Sequence, residues 1–391
     1  MKIAVIGAGA SGIFYALVRK HFFPQDEIMI FEKEAKIGRK IYATGNGKCN
    51  LAHTLHEKQY ISYRYPDIAK KLFETVPFET ILAFFQELGV DLACVNGELW
   101  YPRTESARTV MDVFQYQCKK KGISIETNCP LMDYEMKEDK VILHLLKKDE
   151  ICDCLVLAVG GCASPQFGSD GNLFPILHQH HYHLSPLYPG LVGVKVKEDT
   201  RLFAGQRIKC QVRLMQEKTC LFEEYGEVIF KEDGLSGIVI MNMASYLMRH
   251  HPKQVKICLD LFPDYTSESL YQHIVEKEEK GYPYLDGLVA TPLAREIERR
   301  TGTKAHKTKE EWKRVVKQLK SFPFTFLDTY PFEQAQVTIG GVSMNQVDEN
   351  FRSRLENRII LLGEMLDMDG LCGGYNLLWA WASSYCAAKA K

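Results

Sequence analysis

Near the start of the chain, Gly7-Ala8-Gly9-Ala10-Ser11-Gly12 spaces three glycines as G-x-G-x-x-G. In that spacing the first glycine makes a tight turn, the second lets backbone approach a pyrophosphate, and the third lets a helix pack closely on a strand. The flanks are the required ones, an apolar run at Ile3-Ala4-Val5-Ile6 before it and helical spacing over Ser11 to Phe22 after it. The helix N-terminus would then present N–H donors and a positive dipole to phosphate. Glu32 ends the next apolar run, Ile28-Met29-Ile30-Phe31, twenty residues beyond Gly12. A carboxylate placed there binds ribose hydroxyls. Lys33 follows it, and Ala10, Ser11 and Lys33 join the glycines and Glu32 as candidate cofactor-binding residues.

Two further loops carry similar chemistry. Gly38-Arg39-Lys40-Ile41-Tyr42-Ala43-Thr44-Gly45-Asn46-Gly47-Lys48-Cys49-Asn50 combines three glycines with three cations. Such a loop suits a backbone cradle around phosphate or an electron-rich ring, or else a plain surface loop with solvated lysines. Near the other end, Gly363-Glu364 leads through Asp369 to Gly373-Gly374-Tyr375-Asn376, between the apolar run ending at Leu362 and a closing helix near Asn376–Lys389. The dinucleotide could be FAD or NAD, and that helix would point a second N-terminus at it, able to steady negative charge on a reduced flavin if it is FAD. A second strand–GxGxxG–helix unit for a nicotinamide cofactor is absent from the sequence. No side chain is marked as a general acid or base; Tyr42, Glu364 and Tyr375 are weak catalytic candidates by their place in these loops.

Other reactive residues read more plainly. Cys49 and Cys372 fall inside the two loops, as a redox pair near the cofactor or, more ordinarily, as small packing residues. The twelve cysteines are scattered without any Cys-x-x-Cys, which speaks against zinc and dithiol exchange and suits a reducing cytoplasm. His178, His180, His181 and His183 cluster, and on a helix His178 and His181 would share a face, but a third ligand is not evident and no metal site is expected. Between Lys304 and Lys320 seven basic residues face two acidic ones, most simply as the wet side of an amphipathic helix. Lys+Arg 49 balances Asp+Glu 49, so nucleic acid is an unlikely partner and a small molecule the expected one.

The elements that must position these residues alternate as β-α-β at the start, with helical patterns at Ile68–Thr75, Phe78–Leu88 and Thr109–Lys121. Ile123–Ile125, Leu131–Met136, Val141–Leu146 and Cys154–Val159 read as strands, the last running into Gly160-Gly161. From about Leu191 the pattern changes to strict alternation, in Ile208–Leu214 and Val255–Leu261, which means strands with one wet face. The layout is therefore α/β, with a Rossmann domain from 1–190 and 335–391 interrupted by an antiparallel insert, 191–334, whose helical part spans about 264–321. Gly370 to Ala388 lacks charge, but its glycines, Asn376 and serines argue against a membrane helix.

These motifs, with Gly160-Gly161, Gly168-Ser169-Asp170-Gly171, Asp233-Gly-Leu-Ser-Gly237 and Ala335-Gln-Val-Thr-Ile-Gly-Gly-Val342, resemble the BaiN-type bacterial NAD(P)/FAD-dependent oxidoreductases, the family that includes aminoacetone oxidase. The resemblance covers nearly the whole chain, and departs from the family pattern at Lys48 and Asn46. It implies non-covalent FAD in a glutathione-reductase-like Rossmann domain, an inserted β-barrel and a small helical region. By the same likeness Leu131 lies at the adenine end, and Gly363, Glu364 and Asn376 at the ribityl–flavin end. Ala158, Gly160, Asp369, Gly374 and Leu377 complete the implied cofactor contacts. The implied activity is NAD(P)H-driven reduction of a conjugated C=C bond. An amine oxidase and a flavin-containing RNA- or protein-binding module are the alternatives.

Overall fold

The protein, seen here as a computed structural model, is described over residues 1–283, 285–302 and 308–391. Its chain divides into two compact units, Met1–Pro189 with Ala335–Lys391, and Gly190–Gln334.

The first unit is built on a five-stranded sheet in the order Ile359–Leu361, Cys154–Leu157, Lys2–Ile6, Glu27–Phe31, Ser124–Glu126. Every pairing is parallel, with Ile3–Ile6 in register against Cys154–Leu157 on one side and Ile28–Phe31 on the other. Ile3 to Ile6, Cys154 to Leu157 and Ile359 to Leu361 are all buried, as expected of strands covered on both faces. The helix Ala10–Phe22 runs alongside the C-terminal helix Tyr375–Lys389. Ser384 Oγ donates to the Ser11 carbonyl at 3.0 Å, and Arg19 Nη1 reaches the carbonyls of Ala388 and Ala390. The two helices are therefore parallel. Beneath them Phe14, Phe85, Phe114 and Trp381 form an aromatic cluster, and Trp381 satisfies its indole N–H on the Leu51 carbonyl.

The uncharged stretch ending at Ala388 forms the fifteen-residue C-terminal helix, and among the described residues no helix is long and apolar enough to cross a membrane. Smaller sheets are Leu131–Lys137, Lys140–Leu145 and Asp149–Cys152 as a meander, Ala52–His53, Leu99–Pro102 and Leu92–Val95 in that order, and Leu184–Gly190 beside Val337–Val342. The histidine cluster corrects the helical expectation. The helix Phe174–Gln179 stops before His181, which has φ 63° and shares no helix face with His178. His180 stacks on Tyr134 at 3.9 Å between the carboxylates of Asp133 and Glu356, and no group of side chains among the described residues could hold a metal ion.

The second unit is a closed six-stranded antiparallel barrel, in the order Val194–Val196, Gly234–Ser236, Thr219–Phe230, Arg207–Gln216, Val255–Asp260, Phe322–Thr329. The alternation that marked these strands is realised, with Cys210, Val212 and Leu214 buried and Lys209 exposed. Helices Ser267–Glu279, Thr291–Thr301 and Lys309–Lys320 belong to this unit. The last carries the Thr308–Glu311 capping box and buries Trp312, Val315, Val316 and Leu319. Of the basic stripe, Lys304 and Lys307 lie outside the described residues; Lys313 and Arg314 pair with Glu310 and Glu311. Lys320 is not on the wet face. Its ammonium meets buried Asp260 at 2.8 Å and the carbonyls of Phe262 and Tyr265.

Candidate cofactor-binding site

In a parallel sheet the strands' carboxyl ends open on one edge, and the loops leaving them line a crevice. Here those loops are the glycine turn after Ile6, the Glu32 turn after Phe31, the 158–163 segment after Leu157 and the Gly363 turn after Leu361. Ala8 N–H donates to Glu32 Oε2 at 2.8 Å, and Glu34 N–H donates to Glu32 Oε1 at 2.9 Å. Glu32 thus braces the glycine turn as well as standing at its mouth. Gly38 N–H donates to the Ala8 carbonyl at 2.8 Å, which ties the second loop to the first. Gly12 packs directly on the Gly7 carbonyl, so that a Cβ there would collide with it; a Cβ on Gly9 would meet nothing within 4 Å.

The C-terminal turn closes onto the same point. A Cβ on Gly363 would strike the Ser11 hydroxyl, and Trp379 Nε1 donates to the Gly363 carbonyl at 3.2 Å. Glu364 joins four segments. Its Oε2 accepts from Lys40 Nζ at 2.7 Å, and its Oε1 accepts from Thr338 N–H at 3.0 Å and the Thr338 hydroxyl at 3.1 Å. The Thr338 oxygen in turn accepts from the N–H groups of Cys162 and Ala163. Thr338 lies inside the Ala335–Val342 motif but was not singled out there, because in a buried strand, Val337–Val342, it looks like one more β-branched packing residue.

The other cations of these loops face outward partners: Lys33 pairs with Asp170, Arg39 with Glu34, and Lys48 with Glu105. Gly45 and Asn46 both adopt left-handed backbone, at φ 56° and 55°, a region that asparagine tolerates better than most residues. Thr44 caps locally on the Ile41 carbonyl, Gly47 and exposed Tyr42 lie at the surface side of the loop, and Asn50 reaches the Ala52 carbonyl through its amide. Cys49 is fully buried, and burial pushes its thiol up to about 11; neither it nor half-buried Cys372 is in a disulfide.

Several candidates turn out to be spoken for. Asn376 clamps the preceding turn, accepting from Gly370 N–H at 2.9 Å and donating to the Gly370 and Leu371 carbonyls. Tyr375 stacks on His53 at 4.5 Å, and burial raises its hydroxyl against a hydrogen bond with Ser62 that lowers it. Gly374, at φ 98°, is required by protein: a Cβ there would stand 2.8 Å from the Ala52 carbonyl carbon. Asp369 is buried, with its carbonyl accepting from Arg64 N–H, and Leu377 follows in the first turn of the C-terminal helix. Ala158 N–H pairs with the Ile6 carbonyl, Gly160 lies against Ser169, and Leu131 is buried at the start of its strand.

The residues present fit an extended dinucleotide. Neither the helix starting at Ala10 nor the one starting at Tyr375 has a side-chain cap, so both leave first-turn N–H donors open. Ser384, bonded to the Ser11 carbonyl, is nine residues into its own helix while Ser11 is one residue into its own, so the C-terminal helix begins roughly 12 Å farther along the shared axis. The space beside Gly9 is free of protein atoms. Two anion-steadying points, separated along one crevice, match a pyrophosphate and a distal ring.

Comparison with known proteins bears on the family and the fold. The HI0933-like protein Rossmann domain model matches residues 1–390. The chain is 29% identical to a 3-dehydro-bile acid delta(4,6)-reductase of Clostridium scindens, over 100% of this chain and 98% of that protein. It is 24% identical to the ribosomal RNA dihydrouridine synthase of Escherichia coli, over 98% and 96%. In fold it resembles the 3-ketosteroid delta1-dehydrogenase of Sterolibacterium denitrificans, with a TM-score of 0.53 at 10% identity, covering 99% of this chain and 98% of the other. The chain belongs to the HI0933-like Rossmann family and is a flavin-dependent oxidoreductase.

Proposed function

We propose that the chain binds FAD non-covalently in this crevice and reduces a carbon–carbon double bond conjugated to a carbonyl, drawing electrons from NAD(P)H. The observation that carries the reading is the pair of uncapped parallel helix N-termini offset along one sheet edge. The first holds the pyrophosphate through the N–H groups of Ala10 to Gly12; Glu32, braced on Ala8 and Glu34, offers its remaining lone pairs to ribose hydroxyls. The second, from Tyr375 to Leu377, directs its dipole at the ring. Asn376 fixes the turn that delivers it. Bound FAD supplies hydride transfer to and from carbon. Tyr63, Tyr375 and Trp379, packed together beside that turn, keep water from one flank of the ring's site.

The double-bond reading is supported by the Clostridium scindens relative, named as a delta(4,6)-reductase. A second reading has a specific observation behind it: two relatives at 24% identity are ribosomal RNA dihydrouridine synthases. Saturation of a uracil ring is also reduction of a double bond conjugated to a carbonyl, so the two readings share one flavin chemistry and differ in substrate. The test is anaerobic mixing with NADH and NADPH, followed by candidate acceptors. Bleaching of the flavin by a nicotinamide and its recolouring by a steroid-type dienone are expected. Recolouring by uridine-containing RNA alone would transfer the proposal to RNA, and bleaching by a small amine instead of NAD(P)H would replace it with an oxidase.

A further inference from the structure

Lys33, Arg39 and Lys48 pair with Asp170, Glu34 and Glu105, whereas Lys40 pairs with the turn that leaves the sheet's edge strand. Its partner there, Glu364, lies 324 positions away. Lys40 is 26% exposed and Glu364 22%, so the pair is half-sheltered and its field is screened less than that of a surface pair. Both follow strands of the sheet on its carboxyl edge, and Gly363, next to Glu364, lies against Ser11 of the first helix and accepts from Trp379 of the C-terminal one. One ammonium proton is committed to Glu364; two remain for whatever enters.

Glu364 serves as acceptor to three donors, Lys40 Nζ, Thr338 N–H and the Thr338 hydroxyl. That is the role of a carboxylate, not of a proton donor. The donors also fix it from both sides, since Thr338 is itself held by Cys162 and Ala163. The pair therefore has a defined place while carrying two opposite charges that act separately on a neighbouring group.

We infer that the Lys40–Glu364 pair sets the electron affinity of the flavin, Lys40 favouring the reduced, negatively charged ring and Glu364 anchoring Lys40 while opposing it. The inference rests on the FAD reading above. It makes Glu364 a positioning residue and gives the pair a signature that packing alone does not produce. Removing one charge moves the flavin's redox equilibrium one way, removing the other moves it the opposite way, and removing both nearly restores it.

The experiment is a dye-coupled anaerobic reductive titration of FAD-loaded protein, with FAD affinity measured alongside. At a fixed potential Lys40→Met should lower the ratio of reduced to oxidised flavin by about tenfold, the order expected for the loss of one half-sheltered unit charge. Glu364→Gln should raise the ratio, Lys40→Arg should stay near wild type, and the double variant should fall between the singles. Both single variants shifting the same way, or neither shifting while FAD is retained, overturns the inference and leaves the cofactor reading standing. A wild-type chain that binds no FAD overturns both. Any single variant that fails to hold FAD is replaced by Lys40→Gln or Glu364→Asn, read in the same titration for the same opposed signs.

Discussion

The backbone N–H of Ala8 donates to Glu32 Oε2 at 2.8 Å, so the acid placed to meet a ribose is also the brace of the turn that meets the phosphates. The two tasks are mechanically one. Glu32→Ala removes acceptors for Ala8 and Glu34 together, each a charge-assisted bond worth about 1.5–3 kcal/mol. Retention of FAD should fall by at least about tenfold, measured by equilibrium dialysis, with a loss of urea stability even in the absence of FAD. A variant with wild-type stability and weakened FAD would show that Glu32 acts on the ligand alone.

Gly9 and Gly12 should part company. Gly12→Ala puts a Cβ into the Gly7 carbonyl and should unfold the glycine turn, lowering stability with or without FAD. Gly9→Ala adds a Cβ to open space at φ −93°, an angle any residue adopts, so the unliganded protein should keep its melting temperature while FAD binding weakens. Thermal melts with and without FAD distinguish the two. Equal destabilisation of the unliganded protein by both would show that Gly9 is a packing residue.

Cys49 and Cys372 should not exchange electrons with the flavin. Burial pushes the Cys49 thiol up from 9.0 to about 11, so at pH 8 almost none of it is the reactive thiolate, whereas Cys94 and Cys220 are exposed. Iodoacetamide at pH 8 should label Cys94 and Cys220 first and Cys49 only after denaturation, as read by peptide mass spectrometry. The raised thiol also has a linkage consequence. As pH climbs from 9 toward 11 the unfolded chain ionises Cys49 while the folded one does not, so this group's contribution to stability declines across that window.

Within the basic stripe, charge and burial make opposite forecasts for neighbouring lysines. Lys320→Met strands buried Asp260 and should cost about 3–5 kcal/mol in urea unfolding of the barrel unit. Lys313→Ala removes one exposed pair and should change stability by less than about 1 kcal/mol. Similar losses at both positions would contradict this division.

Much of both units was legible because the signals are local. Ile3–Ile6 and Ile359–Leu361 announce buried strands by unbroken apolar character, and the strict alternation of Ile208–Leu214 announces a barrel face. What stayed hidden is what distant segments do to one another. Gly374 reads as a place where backbone must approach a ligand, yet the atoms that forbid a side chain there are the carbonyl of Ala52 and the amide of Asn50. Asn376 reads as a ligand contact, yet its amide is spent on the Gly370 turn. The Ala335–Val342 motif was visible but the part Thr338 plays in it was not, because a threonine in a buried strand differs from valine by one oxygen, and only the fold shows what that oxygen touches.

The splitting of the first unit around residues 190–334 governs the order in which the molecule can be made. A ribosome delivers the glycine turn, Glu32 and Lys40 early, then an uninterrupted stretch that can close its barrel as soon as it emerges. The edge strand Ile359–Leu361, Glu364 and the helix that Arg19 clasps arrive afterwards. Until they do, Lys40 has no Glu364, Ser11 has no Ser384, and the aromatic cluster around Phe14 lacks Trp381. Nascent chains should therefore be unable to capture their cofactor until translation is nearly complete, which leaves the half-built sheet as the stretch most in need of a chaperone's shelter.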